Sequence, residues 1–184
     1  MMNNKRWTCL VIFAILFAPS CLNSSLSYKM RVMMENKVIM PQNILTVWHN
    51  NEPCYGIRVE HPLLVIHMDS TDCSTCLLPK LSRFSNLYIE SKSTKQFELV
   101  VIVSPTRKEA DHINHHIKLK HFIFPVYVDI ENRFDALNPS IPPDHRFRCF
   151  LTEYSGKPIF IGDPTTSERM MALFRKHLDA LMRL

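Results

Sequence analysis

The sequence predicts a mixed α/β domain in which helices cover the faces of a central mixed sheet. Residues 63–68 (LLVIHM) and 97–103 (FELVVIV) are continuous apolar runs, as expected of strands buried on both faces. They are followed by residues 76–91 and 106–120, where apolar side chains recur at the three- and four-residue spacing of amphipathic helices. Strands and helices that alternate in this way form a layered α/β fold.

The remaining elements complete the sheet and close the chain. Further short strands are predicted at residues 44–48, 55–59, 122–128, 148–152 and 158–161. Pro125 favours an edge or irregular position for its strand, and a turn at Gly156 joins the last two strands as a hairpin. A final amphipathic helix over 167–184, capped by Ser167, is predicted to turn Met170, Leu173 and Leu178 or Leu181 inward.

The first twenty residues are predicted to direct export. The apolar stretch of residues 8–18 follows Lys5 and Arg6; it is short for a bilayer span but fits the centre of a signal peptide. Small residues then precede Cys21, a pattern similar to a bacterial lipobox, in which Cys21 would carry a lipid anchor. An ordinary cleaved signal with a chance cysteine is the alternative. The predicted organisation is a signal peptide at 1–20, a tether or first short element at 22–36, and one domain at 37–184.

Composition excludes several classes of protein. Apolar residues make up 46% of the chain and glycine occurs only 3 times, which excludes a disordered or collagen-like chain. Six cysteines in 184 residues are too few for a disulfide-dense miniprotein. The formal net charge is +5, but no cluster of Lys and Arg is interleaved with aromatic residues, so no nucleic-acid partner is expected.

Cys73 and Cys76 form a CxxC motif between a predicted buried strand and a predicted helix, a context that favours redox chemistry. Near a helix N-terminus, the helix dipole and the free N–H groups stabilise a thiolate. Cys73 is therefore the predicted nucleophile that attacks a disulfide, and Cys76 is the predicted resolving thiol. A zinc site is one alternative, although no second ligand pair of suitable spacing accompanies the motif; an inert disulfide is the other.

Strand, CxxC and helix together resemble the thioredoxin fold, and specifically the exported, membrane-anchored thioredoxin-like proteins of the TlpA type. The resemblance covers residues 62–184, and the segment RFRCFLTEYSGKPIFIGDP at 146–164 is similar to a subgroup of Bacteroidetes lipoproteins. It implies a thioredoxin-like fold with an N-terminal strand extension. It also implies a thiol–disulfide oxidoreductase that works in the reductase direction on protein thiols and disulfides, with electrons from a membrane partner.

The position of the family's cis-proline is a departure from this pattern. Thioredoxins place that proline before the penultimate strand, where it receives the substrate backbone. Counting back from Gly156 puts Arg148 there, beside Cys149, so these two residues are expected at the substrate site. A trans bond is expected before Arg148, because a cis bond at a non-proline residue costs about 2.5–4 kcal/mol. The departure counts against substrate docking by the family's usual backbone pairing.

Two further residues near the predicted site leave alternatives open. His67 stands six residues before Cys73, where the family often buries an acid. Its imidazole is either a base for the resolving thiol or a hydrogen-bonded core residue. Cys149 is a third thiol beside the CxxC, a disulfide partner of Cys54, or a plain buried thiol, and the usual burial of free cysteines favours the last.

His112, His115, His116 and His121 cluster on the predicted polar helix. His112 and His116 lie four residues apart on one face, a spacing that suits a metal ion, but no glutamate completes an HExxH pattern. The sequence therefore favours a solvated helix face, with no metal and no cofactor.

These observations together predict an exported lipoprotein, anchored to a membrane and facing the periplasm or the cell surface. It is expected to act as a monomeric thiol–disulfide oxidoreductase. The alternative is a non-catalytic thioredoxin-fold module that binds a partner and carries a vestigial CxxC.

Overall fold

The computed structural model describes residues 25–42, 45–47, 53–55, 61–69 and 78–183. The predicted signal peptide, Cys21 and the CxxC motif lie outside the described residues, as does the side chain of Cys54. No helix in the described ranges is long and apolar enough to cross a membrane.

Within the described ranges, the sheet has seven strands: β1 (Leu45–Val47), β2 (Pro53–Tyr55), β3 (Leu63–Met68), β4 (Glu98–Val103), β5 (Val126–Val128), β6 (Cys149–Thr152) and β7 (Pro158–Ile161). Their order across the sheet is β2-β1-β5-β4-β3-β6-β7. Strands β3, β4 and β5 are parallel to one another, while β1 pairs with β5 and β6 pairs with β3 in antiparallel register. The predicted mixed sheet is thereby confirmed.

The helices, in chain order, are α1 (residues 25–35), α2 (Ser85–Thr94), α3 (Ala110–Lys120), α4 (Arg133–Leu137) and α5 (Glu168–Leu181). Two 3-10 helices, Leu78–Phe84 and His145–Phe147, precede α2 and β6. Residues 25–35 are thus a first short element rather than an extended tether, and Met33 of that helix is fully buried.

Alternating side chains of the central strands divide the core between the two faces of the sheet, because successive strand residues point in opposite directions. On the first face, the strands pack against α2, α3 and α5; that core includes Leu64, Ile66, Leu81, Phe84, Ile113, Cys149 and Phe174. On the second face, they pack against α1 and α4; that core includes Met33, Leu63, Val65, Val100, Phe134 and Phe150.

Three local predictions need correction. Within the helix predicted over 76–91, the described part is a 3-10 helix at Leu78–Phe84 and becomes α-helical only at Ser85; Pro79, which has no backbone N–H, lies in the 3-10 part. The strand predicted over 122–128 begins only at Val126, so Pro125 has the irregular position predicted for it and removes no bond of the ladder. Strand β5 is not an edge, because β1 and β4 pair with its two sides. In α5, Leu178 is buried as predicted, but the other buried side chain is Phe174, whereas Leu173 is 38% exposed.

Candidate functional site

A cleft of about 450 Å³ lies at the carboxyl end of β3, between β6 and the 3-10 helix that precedes α2. Apolar side chains form much of its described lining: Ile66, Met68, Leu81 and Phe84. His67, Arg148 and Cys149 also line it, so the structure brings together three of the residues that the sequence singled out. The segment 70–77, which holds Cys73 and Cys76, joins β3 to that 3-10 helix and so connects two borders of the cleft.

The guanidinium of Arg148 is buried in a network of polar groups, with its side chain only 7% exposed. Nη2 lies 2.9 Å from a carboxylate oxygen of Asp69, which directly follows β3. The carboxylate of Asp135 in α4 accepts hydrogen bonds from both terminal nitrogens of the guanidinium, so one cation faces two carboxylates. Only Nε, among the nitrogens of this guanidinium, finds no partner in the described part of the chain. A buried cation of this kind is retained only when its charge is compensated, and the two aspartates provide that compensation.

His67 completes this network and is held by both of its ring nitrogens. Nδ1 accepts a hydrogen bond from Arg148 Nη1 at 2.8 Å, and Nε2 lies 2.9 Å from Ser104 Oγ. Because Arg148 can only donate, the neutral ring carries its proton on Nε2 and donates it to Ser104. The ring also packs against Phe134, with 4.7 Å between the ring centroids.

Electrostatics keep this imidazole neutral. Burial is the largest cause and the charge of Arg148 the second, and together they lower the pKa of His67 to about 4; Asp135 and Asp69 oppose the shift. A proton arriving at Nδ1 would have to displace the Arg148 bond and face a guanidinium. The arrangement therefore favours the core-residue interpretation of His67 over the proton-acceptor interpretation.

The backbone of Arg148 is engaged within the protein. Its N–H donates to the carbonyl of His145 at 3.1 Å, and its carbonyl accepts from the N–H of His67 at 2.7 Å. The described residues contain no cis peptide bond, so the bond before Arg148 is trans, as its residue type predicts. Arg148 thus has neither backbone group free to pair with an extended substrate.

Cys149 faces the other side of the sheet from the Arg148 side chain. It belongs to the core on the first face, where α2 lies, and is 8% exposed. Its thiol is free, and burial raises its pKa well above the ordinary value; Asp163 adds to the shift and Arg83 opposes it. Of the alternatives for this residue, the geometry agrees with a buried thiol at the edge of the cleft.

The exposed rim of the cleft carries cations that are paired nearby. Arg83 forms an ion pair with Asp163, and Arg146 binds Asp144 through two of its side-chain nitrogens, with Nη2 2.6 Å from Oδ2. The contacts with Arg146 lower the pKa of Asp144. Each of these two arginines thus has its own carboxylate, so neither is an unpaired cation at the rim.

Sequence reasoning missed three members of the buried network: Asp69, Ser104 and Asp135. Asp69 had a usable signal, since a carboxylate directly after a buried strand stands at the end of the sheet where sites form. Asp135 had none, because it lies 13 residues before Arg148 in a five-residue helix that periodicity does not reveal.

Comparisons with known proteins indicate which fold this chain has. No family model matches the chain, and no curated protein matches it. Among solved structures, a putative protein disulfide isomerase from Bacteroides thetaiotaomicron is similar, with a TM-score of 0.53 and 11% identity over 81% of this chain and 89% of that one.

The exposed lipoprotein thioredoxin from Streptococcus pneumoniae has a TM-score of 0.50 and 16% identity, over 75% of this chain and 98% of that one. The mitochondrial 2-Cys peroxiredoxin from Plasmodium falciparum has a TM-score of 0.50 and 14% identity, over 80% and 92%. The chain therefore has the predicted thioredoxin-like fold. Because these neighbours include a putative disulfide isomerase, a thioredoxin and a peroxiredoxin, the shared fold leaves the chemistry open.

Proposed function

We propose that the chain is an extracytoplasmic thiol–disulfide oxidoreductase with Cys73 as nucleophile and Cys76 as resolving thiol. The observation that carries the proposal is the place of the CxxC segment in the order of elements along this thioredoxin-like chain. The segment joins the end of β3 to the 3-10 helix before α2, and both elements border the cleft that Cys149 lines. A cleft with an apolar lining, bordered by the two elements that the CxxC segment joins, suits an unfolded or extended protein segment that carries a disulfide.

In the proposed reaction, the Cys73 thiolate attacks one sulfur of the substrate disulfide and the other sulfur leaves as a thiolate. The Cys76 thiolate then attacks Cys73 in the mixed disulfide, which releases the second substrate thiolate and leaves a Cys73–Cys76 disulfide. Two electrons pass from the dithiol to the substrate. A membrane thiol donor would restore the dithiol, and the resemblance to tethered thioredoxins supports this reductase direction.

Within this proposal, His67 positions its neighbours rather than accepting a proton, because both of its ring nitrogens are engaged. Arg148 holds Asp69, the last described residue before the CxxC segment, at 2.9 Å. Cys149 lines the cleft but is almost entirely buried, and its raised pKa keeps it a protonated, weakly nucleophilic thiol.

Export and a lipid anchor on Cys21 are part of the proposal. Helix α1 begins within a few residues of Cys21 and packs onto the domain through Met33, so an anchor there would hold the domain close to the membrane surface. The exposed lipoprotein thioredoxin among the solved neighbours supports the same location. Detergent partitioning of the chain, compared with a Cys21→Ser variant, tests the anchor: the native chain should partition with detergent and the variant should not.

The decisive experiment is the reduction potential of the Cys73–Cys76 pair. The mature protein is equilibrated in glutathione or dithiothreitol buffers, trapped by alkylation, and its thiols are assigned by mass. We expect a two-electron transition confined to these two cysteines and near thioredoxin's value of about −270 mV, whereas a value near −120 mV would indicate an oxidant. A Cys149→Ala variant is the matched control and should leave the transition unchanged.

A binding module with a vestigial CxxC is the second candidate, and the engaged backbone of Arg148 favours it. Alkylation kinetics separate the two. In the oxidoreductase, Cys73 should be alkylated selectively below about pH 7, and far faster than Cys54 or Cys149, as a thiolate with a depressed pKa does. A Cys73 that reacts no faster than Cys54 or Cys149, or the lack of a reversible dithiol transition, would support the binding module.

A further inference from the structure

We propose that His112 and His116 of helix α3 form a binding site for a divalent late transition metal ion. The two side chains lie four residues apart on one helix, and their Nε2 atoms are 3.1 Å from each other. Residues at this spacing are neighbours on the same helix face. The inference is independent of the dithiol chemistry proposed above.

The separation of the two nitrogens is close to what a shared metal ion requires. Metal–imidazole bonds are about 2.0–2.1 Å long, so two such nitrogens lie about 2.9 Å apart at a right angle and about 3.3 Å apart at a tetrahedral angle. The observed 3.1 Å falls between these values. The ring centroids are 4.3 Å apart, and both side chains are at the surface, so small rotations can direct both lone pairs at one ion.

The chemistry of the pair decides which ion fits. Two neutral imidazoles favour copper, nickel or zinc over calcium or magnesium, and Cu²⁺ stands highest in the order of affinities for such ligands. No group of three His, Cys, Asp or Glu side chains suited to a metal occurs among the described residues, so solvent would fill the other coordination positions. Lys108 and Lys120 lie four residues to either side and oppose a cation, so binding would have to come from coordination by the imidazoles and not from charge.

The test uses the mature chain with its accessible thiols alkylated, because free thiolates also bind these ions. Zn²⁺ is titrated in an imidazole-free buffer and followed by the NMR signals of the histidine rings and by the thermal midpoint. His112→Asn and His116→Asn each remove one ligand, and His115→Asn is the matched control on the same helix. A parallel titration with Cu²⁺ by calorimetry checks the order of affinities.

We expect one Zn²⁺ per chain, with signals of both rings shifting together and a rise in the thermal midpoint, since an ion that binds the folded helix stabilises it. Loss of either ligand should weaken binding by about tenfold or more, because the second contact is no longer intramolecular. His115→Asn should change affinity by less than about threefold on the same argument. Unchanged binding in His112→Asn, an equal loss in His115→Asn, or no binding by the unsubstituted chain would each overturn the proposal.

Discussion

The buried imidazole of His67 should make the stability of the fold depend on pH below neutrality. Its pKa is lowered from the ordinary 6.5 to about 4, by burial first and by Arg148 second. Between these two values the unfolded chain binds a proton at this residue and the folded chain does not. The free energy of unfolding therefore falls as the pH is lowered from about 6.5 to about 4, and this residue causes no further loss below that.

The magnitude follows from the size of the shift. A difference of about 2.5 units between 6.5 and 4, at about 1.4 kcal/mol for each unit, corresponds to roughly 3 kcal/mol of stability lost across this window. This is a large part of the stability of an ordinary domain. The loss has a structural cause, because a proton on Nδ1 would break the 2.8 Å bond from Arg148 and place two cations together.

Urea unfolding at several pH values between 7.5 and 4 measures this effect, and His67→Asn is the informative variant. The asparagine amide oxygen can accept from Arg148 in place of Nδ1 but does not titrate, so the variant should lose roughly 3 kcal/mol less than the native chain over the window. His115→Asn, at an exposed position, is the control and should follow the native curve. Parallel curves for the native chain and His67→Asn would refute the reasoning. If His67→Asn does not fold, the NMR titration of the His67 ring decides, since its midpoint should lie near pH 4.

Three substitutions test the packing of the fold by urea unfolding at neutral pH. Arg148→Met removes the cation that faces the buried carboxylate of Asp69 and the partly buried carboxylate of Asp135, and should cost about 3–5 kcal/mol. Arg146→Met on the exposed rim should cost far less, and equal losses would contradict the buried network. Phe174→Ala removes a fully buried ring and should lower the free energy of unfolding by about 3–5 kcal/mol. Leu173 beside it is half-exposed, so Leu173→Ala should cost about 1 kcal/mol or less. The reverse order would show that α5 is rotated. Gly156→Ala should lower the free energy of unfolding by about 1–3 kcal/mol. The φ angle of Gly156 is +86°, and an added Cβ would lie 2.8 Å from the carbonyl oxygen of Val38. An unchanged free energy of unfolding would show that the turn relaxes.

Patterns in the chain were sufficient for the elements that depend on their own side chains. The run Leu63–Met68 is a strand with the predicted bounds, and all six of its residues are buried. A short, continuous apolar segment is typical of a strand that is covered on both faces of the sheet. The apolar residues whose spacing predicted a helix over 106–120 include Ala110, Ile113 and Ile117, and these face inward from α3, since a helix with one apolar stripe must turn it to the core. The hairpin of β6 and β7 forms about Gly156, where a positive φ is needed.

Local patterns failed where a distant element decides the outcome. The position of β5 inside the sheet depends on β1 pairing with it from about eighty residues earlier in the chain. The choice between Leu173 and Phe174 as the buried face of α5 depends on the ring of Phe97, which meets Phe174 at 5.4 Å between centroids. Periodicity within α5 does not contain that contact.

The sequence by itself determined the fold class, the order of the elements, the CxxC motif and the candidate residues His67, Arg148 and Cys149. Each of these follows from local composition and spacing. Only the tertiary structure decided what those residues can do. It turned Arg148 and Cys149 to opposite faces of the sheet and brought Asp69 and Asp135 to one guanidinium. It also engaged both ring nitrogens of His67 in hydrogen bonds, with Arg148 and with Ser104. The physical reason is that burial and charge pairing, which set protonation and reactivity, arise between residues that are far apart in the chain.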